Sequence, residues 1–528
     1  MRRPTQKQKP KTAQIKSWPS PRNGWISNRN LAQPNAKNPD GSAISGAQIL
    51  DNFFPTATTA RLRRGYEEYA DITGGTIGSM FVYLNGNNEK VFAADDTKIV
   101  DITATPTDAV TGLSGDDWIS TQFATSGGIF LRLVNGVDTP LVYDGTTFAT
   151  TPALTFPGDP DDPVAEDMDF VWAFANRLFF VEKESLNAWY LSVGTIGGAL
   201  TKFPLGGVFE RGGSLLFGAI WSNDSGNQGG LSEQCIFVST EGEVAVYQGI
   251  DPASWSKVGV YRIGRPLGKR AWFRAGGDVV IATTVGLVSL ASAVSKDFAA
   301  LAPVAVSYPI EDAWNEAVQQ RGQSNWQCEV WAAQQMAIVV PPYLYSQPIE
   351  AFVVNLRTGA WCRFTGWDMR SLVVFADRLF FGVTAGIVNE GLTSGYDGEL
   401  PYTGVYVPLF EDLGSPASKK ISRLARATFR ARPDGLVQLG MHVDFVVDLQ
   451  TAPDSSPIQI RNEWGSAIWG SATWGEGSDL ETIESWQSVS AAGYAIAPSL
   501  QVTSGDLVPL DVELVRIDAT YTTADIIS

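Results

Sequence analysis

The sequence predicts an all-β protein, a β-propeller of about six blades with an extended N-terminal arm and a C-terminal β domain. Apolar residues make up 44% of the chain beside 52 Gly and 29 Pro, a mixture that favours many short strands joined by tight turns. A strand–turn–strand theme recurs between residues 80 and 400. Helical periodicity is almost confined to residues 310–320, which argues against a parallel α/β fold.

The recurring theme is a run of four to six β-branched or aromatic residues, a polar turn and a second strand. It appears in VFAADDTKIVDIT, IFLRLVNGVDTPLVYDG, NRLFFVEKESLNAWYLS, CIFVSTEGEVAVYQG, DVVIATTVGLVSL, MAIVVPP with AFVVNLRTGAW, and DRLFFGVTAGIVNEG. The spacing of 38 to 58 residues overlaps the period of roughly 40–50 residues that propeller blades show. Such sheets are apolar on both faces, so stacking in a ring buries them. An array of double-sheet sandwiches remains the alternative.

Charge and strand length divide the chain into an arm (residues 1–50), a propeller body (51–400) and a C-terminal β domain (401–528). The last part has longer strands and a basic cluster: Lys419, Lys420, Arg423, Arg426, Arg430 and Arg432. Alternation over residues 425–431 places Arg426 and Arg430 on one face and Ala425, Ala427 and Phe429 on the other. The basic face either pairs with acidic groups of the body or contacts an acidic partner or nucleic acid.

The arm is basic, whereas the rest of the chain is acidic. The formal net charge is −17, and residues 1–39 contain nine Lys or Arg and no acid, which leaves −26 on the other 489 residues. Lacking apolar periodicity, the arm is expected to stay extended until a partner orders it, or to be a solvated leader. The candidate docking residues are Arg2, Arg3, Lys7, Lys9, Lys11, Lys16 and Arg22.

Few residues are available for catalysis. His442 is the only histidine, and the three cysteines, Cys235, Cys328 and Cys362, are scattered, so we expect no enzyme activity, metal centre or cofactor. The acidic residues at 159–169 lack EF-hand spacing, and we expect a surface connection, with calcium binding left open. The N-terminus has no apolar stretch of a secretory signal, and residues 279–295 suit two buried strands and a turn better than a membrane span.

Three tryptophans, each followed by glycine, recur every five residues near the C-terminus: Trp464, Trp469 and Trp474. A period of five matches neither a strand nor a helix, so repeated tight turns are the favoured interpretation. We expect these side chains to pack within the C-terminal domain or between subunits. Stacking on a sugar is the alternative.

Both ends of the chain resemble one family of virion proteins. The N-terminal elements are a Gly-Trp turn ending at Trp25, the string L-D-N-x-F-P and the string R-x-R-x-G-Y, carried here by Trp25, Leu50, Asp51, Asn52, Pro55, Arg61, Arg63, Gly65 and Tyr66. The C-terminal element is AAGYAIAPSLQVTSGDLVPLDVELVRIDATY. These strings resemble the tail nozzle or tail-hub (packaged-DNA stabilisation) proteins of short-tailed bacteriophages.

The resemblance implies a virion tail protein assembled in the host cytoplasm. Six copies would form the distal end of a tail tube, which retains the packaged genome and lets it pass at ejection. The implied partners are further copies of the chain, tail adaptor and portal proteins, a tail fibre or spike, and genomic DNA in transit; contact with the host surface stays open. The alternative is a carbohydrate-binding or glycan-processing propeller that acts on the host envelope.

Overall fold

The computed structural model describes residues 13–28, 44–86, 88–223, 232–431, 437–455, 481–506 and 508–524. The chain divides into two units. The propeller unit comprises Glu67–Ala351 and Trp367–Gly391, and the terminal unit comprises Met1–Tyr66, Phe352–Gly366 and Leu392–Ser528. In the described part of the chain no helix is long and apolar enough to span a membrane.

Strands dominate both units. The first are β1 (Gln14–Pro19), β2 (Gly24–Trp25), β3 (Gly46–Asp51), β4 (Phe53–Pro55), β5 (Ala60–Leu62) and β6 (Tyr66–Asp71). Next come β7 (Ser79–Asn85), β8 (Asn88–Ala94), β9 (Lys98–Asp101), β10 (Thr107–Thr111), β11 (Ile119–Thr125), β12 (Gly128–Val134), β13 (Leu141–Tyr143), β14 (Phe148–Ala149), β15 (Leu154–Thr155), β16 (Met168–Phe174), β17 (Arg177–Glu182), β18 (Asn187–Tyr190), β19 (Gly198–Ala199) and β20 (Thr201–Pro204).

The middle of the chain adds β21 (Leu215–Asn223), β22 (Ser232–Ser239), β23 (Glu243–Gln248), β24 (Ser256–Arg262), β25 (Trp272–Ala275), β26 (Asp278–Thr283), β27 (Gly286–Ser289), α1 (Leu290–Ser295), α2 (Glu311–Arg321), β28 (Gln327–Trp331) and β29 (Met336–Val340). It continues with β30 (Glu350–Asn355), β31 (Trp361–Thr365), β32 (Ser371–Phe375), β33 (Arg378–Gly382) and β34 (Ile387–Gly391). The last strands are β35 (Tyr402–Pro408), β36 (Lys420–Ala431), β37 (Val437–Val443), β38 (Glu481–Gly493), β39 (Ile496–Ser504) and β40 (Glu513–Thr523). Single 3₁₀ turns lie at Ala165–Asp167, Pro252–Ser254, Phe298–Ala300, Ala302–Val304, Tyr308–Ile310, Ala332–Gln334 and Thr384–Gly386.

The propeller unit is a ring of six blades, as the sequence predicts. Its sheets are β7–β10, β11–β14, β16-β17-β18-β20, β21–β24, β25–β27 and β32-β33-β34-β6. Each sheet contacts the next around a closed cycle, in which the hairpin β28–β29 lies between the fifth and sixth blades. Strand β6 precedes the first blade in sequence yet completes the last one, which closes the ring.

The repeated sequences are the middle strands of these sheets. The near-identical strings NRLFF and DRLFF are β17 and β33, and Leu178 and Leu379 in them are fully buried. Each string begins with the second residue of a two-residue hairpin turn that has positive φ at both positions, Ala175–Asn176 and Ala376–Asp377. Such turns match the twist of antiparallel strands and favour Asn or Asp, which explains why two distant blades share the same short string.

The terminal unit contains two sheets. One has the order β38-β36-β40-β5-β4, with β1 also paired to β40; in the other, strands follow the order β30-β31-β2-β3-β35-β39-β37. The two sheets contact through β37 and β38, where the Gln487 side chain hydrogen-bonds the backbone of Val437 and Leu439. The core-facing residues of β36, Ala425, Ala427 and Phe429, are buried as their alternation predicts.

The structure divides the chain differently from the sequence-based boundaries at residues 50 and 400. Described residues before 67 belong to the same unit as the C-terminal strands, because β1 pairs with β40 along its whole length and Trp18 is buried. Residues 352–366 join them through β30 and β31. The helix expected at residues 310–320 is α2, and residues 279–295 form parts of two strands, as expected, followed by the short helix α1.

Candidate functional site

The N-terminal residues that carry the family resemblance converge on a buried polar cluster in the terminal unit. Its centre is the Arg63 guanidinium, which has no solvent exposure and binds both carboxylate oxygens of Asp397 at 2.6 and 2.7 Å. Arg63 Nε donates to Asn52 Oδ1 at 2.8 Å, and its Nη2 donates to the Thr365 carbonyl at 2.9 Å. The guanidinium also lies 4.2 Å from the ring centre of Tyr402.

Asn52 links three strands around this guanidinium. Its amide nitrogen donates to Thr365 Oγ1 and to the Thr403 carbonyl, both at 2.8 Å, while its oxygen accepts from Arg63 and from the Thr365 amide. Asn52 has φ of 60°, a left-handed conformation that Asn tolerates better than most residues. The side chain therefore supports both a backbone reversal and the polar cluster.

Burial and charge are balanced in this cluster. Burial raises the pKa of the Tyr402 phenol to about 12, against the opposing effect of the Arg63 charge, so Tyr402 stays neutral and its hydroxyl donates to the Arg63 carbonyl. A buried ion pair gains little over an apolar pair, but removing one partner strands the other charge. The cluster therefore specifies how residues 50–66, 361–366 and 397–403 meet.

The other N-terminal motif residues also have structural roles. Leu50 is fully buried, Asp51 forms a two-pronged ion pair with Arg363, and the Pro55 carbonyl accepts from Asn355. Trp25 is buried, and its indole donates to the Gln48 carbonyl. Arg61 lies in β5 opposite Phe54 of β4 and Glu513 of β40.

Gly65 is required by close backbone contact. A Cβ at this position would lie 1.6 Å from the Tyr396 carbonyl oxygen. The amides on both sides are used, since Gly65 N donates to the Ser394 carbonyl and Tyr66 N to the Tyr396 carbonyl. The string R-x-R-x-G-Y thus holds residues 394–397 against residues 63–66.

The docking residues of the arm fall only partly within the described chain. Lys16 forms an ion pair with Glu411 at 2.6 Å, and Arg22 is exposed in the turn before β2. Arg2, Arg3, Lys7, Lys9 and Lys11 lie outside the described residues, as do Trp464, Trp469 and Trp474. The predictions made for these eight residues remain predictions.

The basic face of β36 pairs with acidic groups of the neighbouring C-terminal strands, so its partners are intramolecular but lie outside residues 51–400. Arg426 binds Glu484 and Asp518, each at 2.7 Å, and Arg430 lies 3.4 Å from Glu513. Asp518 also accepts from Ser17 and Arg516. Burial opposes ionisation of Asp518, but these hydrogen bonds and charges outweigh it and hold its pKa below the usual range.

A cavity of about 250 Å³ lies in the propeller unit, where segments preceding the first strands of several blades meet. Its charged lining includes Asp116, Asp117, Lys269, Arg270 and Arg370. Arg270 donates to the carbonyls of Gly78 and Trp118, just before β7 and β11. Arg370 binds Asp368 and lies 3.6 Å from the ring centre of Tyr343.

The cations of this cavity are paired. Lys269 lies 2.8 Å from Asp117 and 2.7 Å from Asp169, and Arg270 lies 2.8 Å from Asp117. Burial opposes ionisation of Asp117, but the two cations hold its pKa below the usual value; burial and the neighbouring Asp117 charge raise that of Asp116. Lys269 and Arg270 thus link four blades, and the sequence analysis singled out neither residue.

The residues considered for catalysis or metal binding are buried or hydrogen-bonded. The three cysteines are buried thiols, and burial raises their pKa values above the usual range. His442 is buried, its Nδ1 accepts from the Asp448 amide, and burial lowers its pKa. In the acidic loop, Asp162 and Asp167 accept from backbone amides of their own turns. Across the described ranges, no three His, Cys, Asp or Glu side chains are grouped as a metal site would require.

Comparison with known proteins yields structural likeness alone. No protein-family model and no curated protein matches the chain. Similar solved structures include BBS1N in complex with ARL6DN (12% identity, 63% of this chain, 97% of that one, TM-score 0.35) and YCF48 from Cyanidioschyzon merolae (10%, 62%, 98%, 0.37). The computationally designed Ika8 protein is a third (12%, 62%, 99%, 0.32). The strand pairings of the blades themselves establish the propeller.

Proposed function

We propose that this protein is a virion structural protein that forms the distal tail nozzle or hub of a short-tailed bacteriophage. Six copies would assemble into a ring-shaped conduit, which retains packaged DNA and lets it pass at ejection. The ring would dock to tail adaptor or portal proteins, carry a fibre or spike, and have no enzymatic role. Its place would be the virion tail, after assembly in the host cytoplasm.

One observation carries this proposal: the two ends of the chain that resemble the family are paired in one unit. Strand β1 aligns with β40 from Gln14 opposite Tyr521 to Pro19 opposite Arg516. The N-terminal motif residues Asn52, Arg63 and Gly65 meet the segment 394–403 in the same unit. Two separate sequence resemblances therefore describe one folded element, which supports reading them as a single family feature.

The charge of the body suits a conduit for DNA. Outside residues 1–39 the chain carries −26, and carboxylates repel phosphate, so an acidic wall avoids the counterion-release binding that a basic wall would create. The basic N-terminal segment then supplies a separate surface for a virion partner. Both features follow from the sequence charge and agree with a passive channel.

Negative-stain electron microscopy of the purified full chain, with its mass measured by native mass spectrometry, tests the proposal. We expect rings of six copies that bind no host glycan on an array. A monomer with sugar-dependent binding would contradict it and favour the carbohydrate-binding propeller. Tyr345 is 94% exposed in the propeller unit, so the Tyr345→Ala variant shows whether any glycan binding depends on this exposed aromatic ring.

A further inference from the structure

We propose that the cavity of the propeller unit binds a primary alkylammonium group, with the carboxylate of Asp116 as the partner of its charge. The cavity has a volume of about 250 Å³. Since a molecule of liquid water takes up roughly 30 Å³, this space holds several waters or one small organic ligand. The inference concerns the propeller unit alone and goes beyond the proposed nozzle, which assigns no ligand to this cavity.

The cationic side chains that line the cavity already have carboxylate partners. The ion pairs are Lys269 with Asp117 and Asp169, Arg270 with Asp117, and Arg370 with Asp368. The nitrogen–oxygen distance is 2.8 Å or less in each of them. Arg270 also donates to two backbone carbonyls. An anionic ligand would have to compete with these carboxylates, so the cavity does not favour an anion.

The carboxylate of Asp116 lacks such a partner. In the part of the chain that the structure describes, no other residue donates a hydrogen bond to this carboxylate or forms an ion pair with it. Burial raises the pKa of Asp116, and the neighbouring charges of Asp117 and Asp96 raise it further. With Asp116 included, four carboxylates face the three cations. The group that would complete this cavity is therefore a cation that donates hydrogen bonds.

The surrounding backbone holds the Asp116 carboxylate at the cavity wall. The buried Ser79 hydroxyl donates to the Asp116 carbonyl at 2.5 Å and accepts from the Trp118 amide at 3.1 Å. A Cβ at Gly78 would lie 2.2 Å from Asp116 Oδ2, so the carboxylate lies directly against the backbone of this glycine. A receiving group that is already in position reduces the ordering that binding would otherwise require.

Other parts of the wall suit a short aliphatic chain. Four apolar lining residues are buried: Trp326, Val340, Pro341 and Met369. Contact with them removes the alkyl surface of a ligand from water, which favours binding. One face of the Tyr343 ring is covered by the Arg370 guanidinium, 3.6 Å from the ring centre, which leaves less of this ring for stacking on a sugar. The wall therefore favours an alkylamine over a carbohydrate.

Calorimetric titration of the full chain with 1-aminopentane tests the site. In the control titrations, 1-pentanol lacks the positive charge and pentanoate reverses it. The Asp116→Asn variant keeps the shape of the side chain and removes its charge. Asp161→Asn is the matched control, because Asp161 is an exposed carboxylate in another loop of the same unit.

The charge of Asp116 should decide the affinity, because hydrogen bonds between two charged groups are about twice as strong as neutral ones. We expect 1-aminopentane to bind wild type and Asp161→Asn equally, and to bind Asp116→Asn at least tenfold more weakly. We also expect wild type to bind 1-pentanol and pentanoate at least tenfold more weakly than the amine. Equal binding of the amine to Asp116→Asn and wild type would overturn the proposal, as would equal binding of 1-pentanol and the amine to wild type.

Hydrogen exchange of the wild-type protein keeps the test decisive if Asp116→Asn fails to fold. We expect 1-aminopentane to slow exchange of the amides at residues 76–78 and 115–118, which include the Asp116 side of the cavity. Unchanged exchange at these residues, or no binding of the amine to wild type, would overturn the proposal. Neither result depends on whether the chain forms a ring, so the site and the proposed nozzle can fail separately.

A further titration distinguishes two sources of the ammonium group, a free amine and a lysine side chain of another protein. The probe is a lysine tripeptide with glycine on both sides and both ends blocked, and its control carries norleucine in place of lysine. Binding of the lysine peptide at least as tightly as 1-aminopentane, with no binding of the norleucine peptide, would support the site and assign it to a protein partner. Binding of 1-aminopentane alone would support the site and assign it to a free amine.

Discussion

Replacing Arg63 by Met should destabilise the terminal unit more than any neighbouring charge substitution. The substitution strands the carboxylate of Asp397, which is 8% exposed. It also removes one of the two donors to the Asn52 oxygen and the Arg63 donor to the Thr365 carbonyl. Breaking a buried ion pair in this way costs about 3–5 kcal/mol. Urea unfolding followed by circular dichroism and tryptophan fluorescence would measure the loss.

Arg64→Met is the matched control, because its guanidinium is 47% exposed and pairs with Asp511 on the surface. Pairs of that kind contribute about 0–1 kcal/mol. The double variant Arg63→Met with Asp397→Leu should recover part of the loss, since it removes the stranded charge. Equal unfolding midpoints for Arg63→Met and Arg64→Met would refute the assignment of Arg63 as the centre of the cluster.

Three further predictions concern the backbone, pH and the arm. Gly65→Ala should cost about 2–3 kcal/mol in thermal unfolding, because its Cβ would overlap the Tyr396 carbonyl; an unchanged melting temperature would count against the close contact. Burial raises the pKa of Glu329 in β28 to about 8, so the folded state retains a proton that the unfolded chain loses near pH 4.5, and the free energy of unfolding falls as pH rises from about 4.5 to 8. The Glu329→Gln variant should melt like wild type at pH 5 and should be about 1–3 kcal/mol more stable than wild type at pH 9. Parallel pH profiles of the two proteins would contradict this. Deleting residues 1–12 should preserve the melting temperature and prevent incorporation into particles. Deleting residues 1–20 should also lower the melting temperature, because it removes Trp18 and β1. Normal incorporation of the shorter deletion would exclude the docking role.

The fold could be predicted from the sequence where the signal is local. Each blade is marked by a run of four to six β-branched or aromatic residues, a polar turn and a second strand. Strands β17 and β33 share a string because they follow the same kind of turn. The alternation in β36 likewise predicted which side chains are buried. Such patterns depend on residues within about ten positions of one another in the sequence, so they can be recognised in a single sequence.

Which segments of the chain form the terminal unit could not be predicted in this way. The pairing of β1 with β40 joins residues about 500 positions apart, and no local pattern in a basic, polar segment signals a strand partner at that distance. The positive charge of the arm and its lack of an apolar face predicted that it would be unpaired. In the structure, Trp18 is the one buried side chain of β1. One apolar residue among six is too weak a pattern to predict a strand.

Only part of the candidate site could be predicted from the sequence. The string R-x-R-x-G-Y singled out Arg63 and Gly65, but Asp397, which pairs with Arg63 across 334 positions, lies in no motif. Lys269 and Arg270 carry the links between blades, yet two adjacent basic residues occur often on protein surfaces. Which residues form such buried pairs depends on distant segments of the chain that come together only in the folded protein.

Localised cryo-electron microscopy of the tail in intact particles is the most direct test of the central claim. We expect six copies of the propeller at the distal end of the tail, arranged around the DNA path, with their terminal units forming a continuous ring. Particles that lack the chain, or that carry it as an isolated copy on a fibre away from the DNA path, would contradict the nozzle assignment.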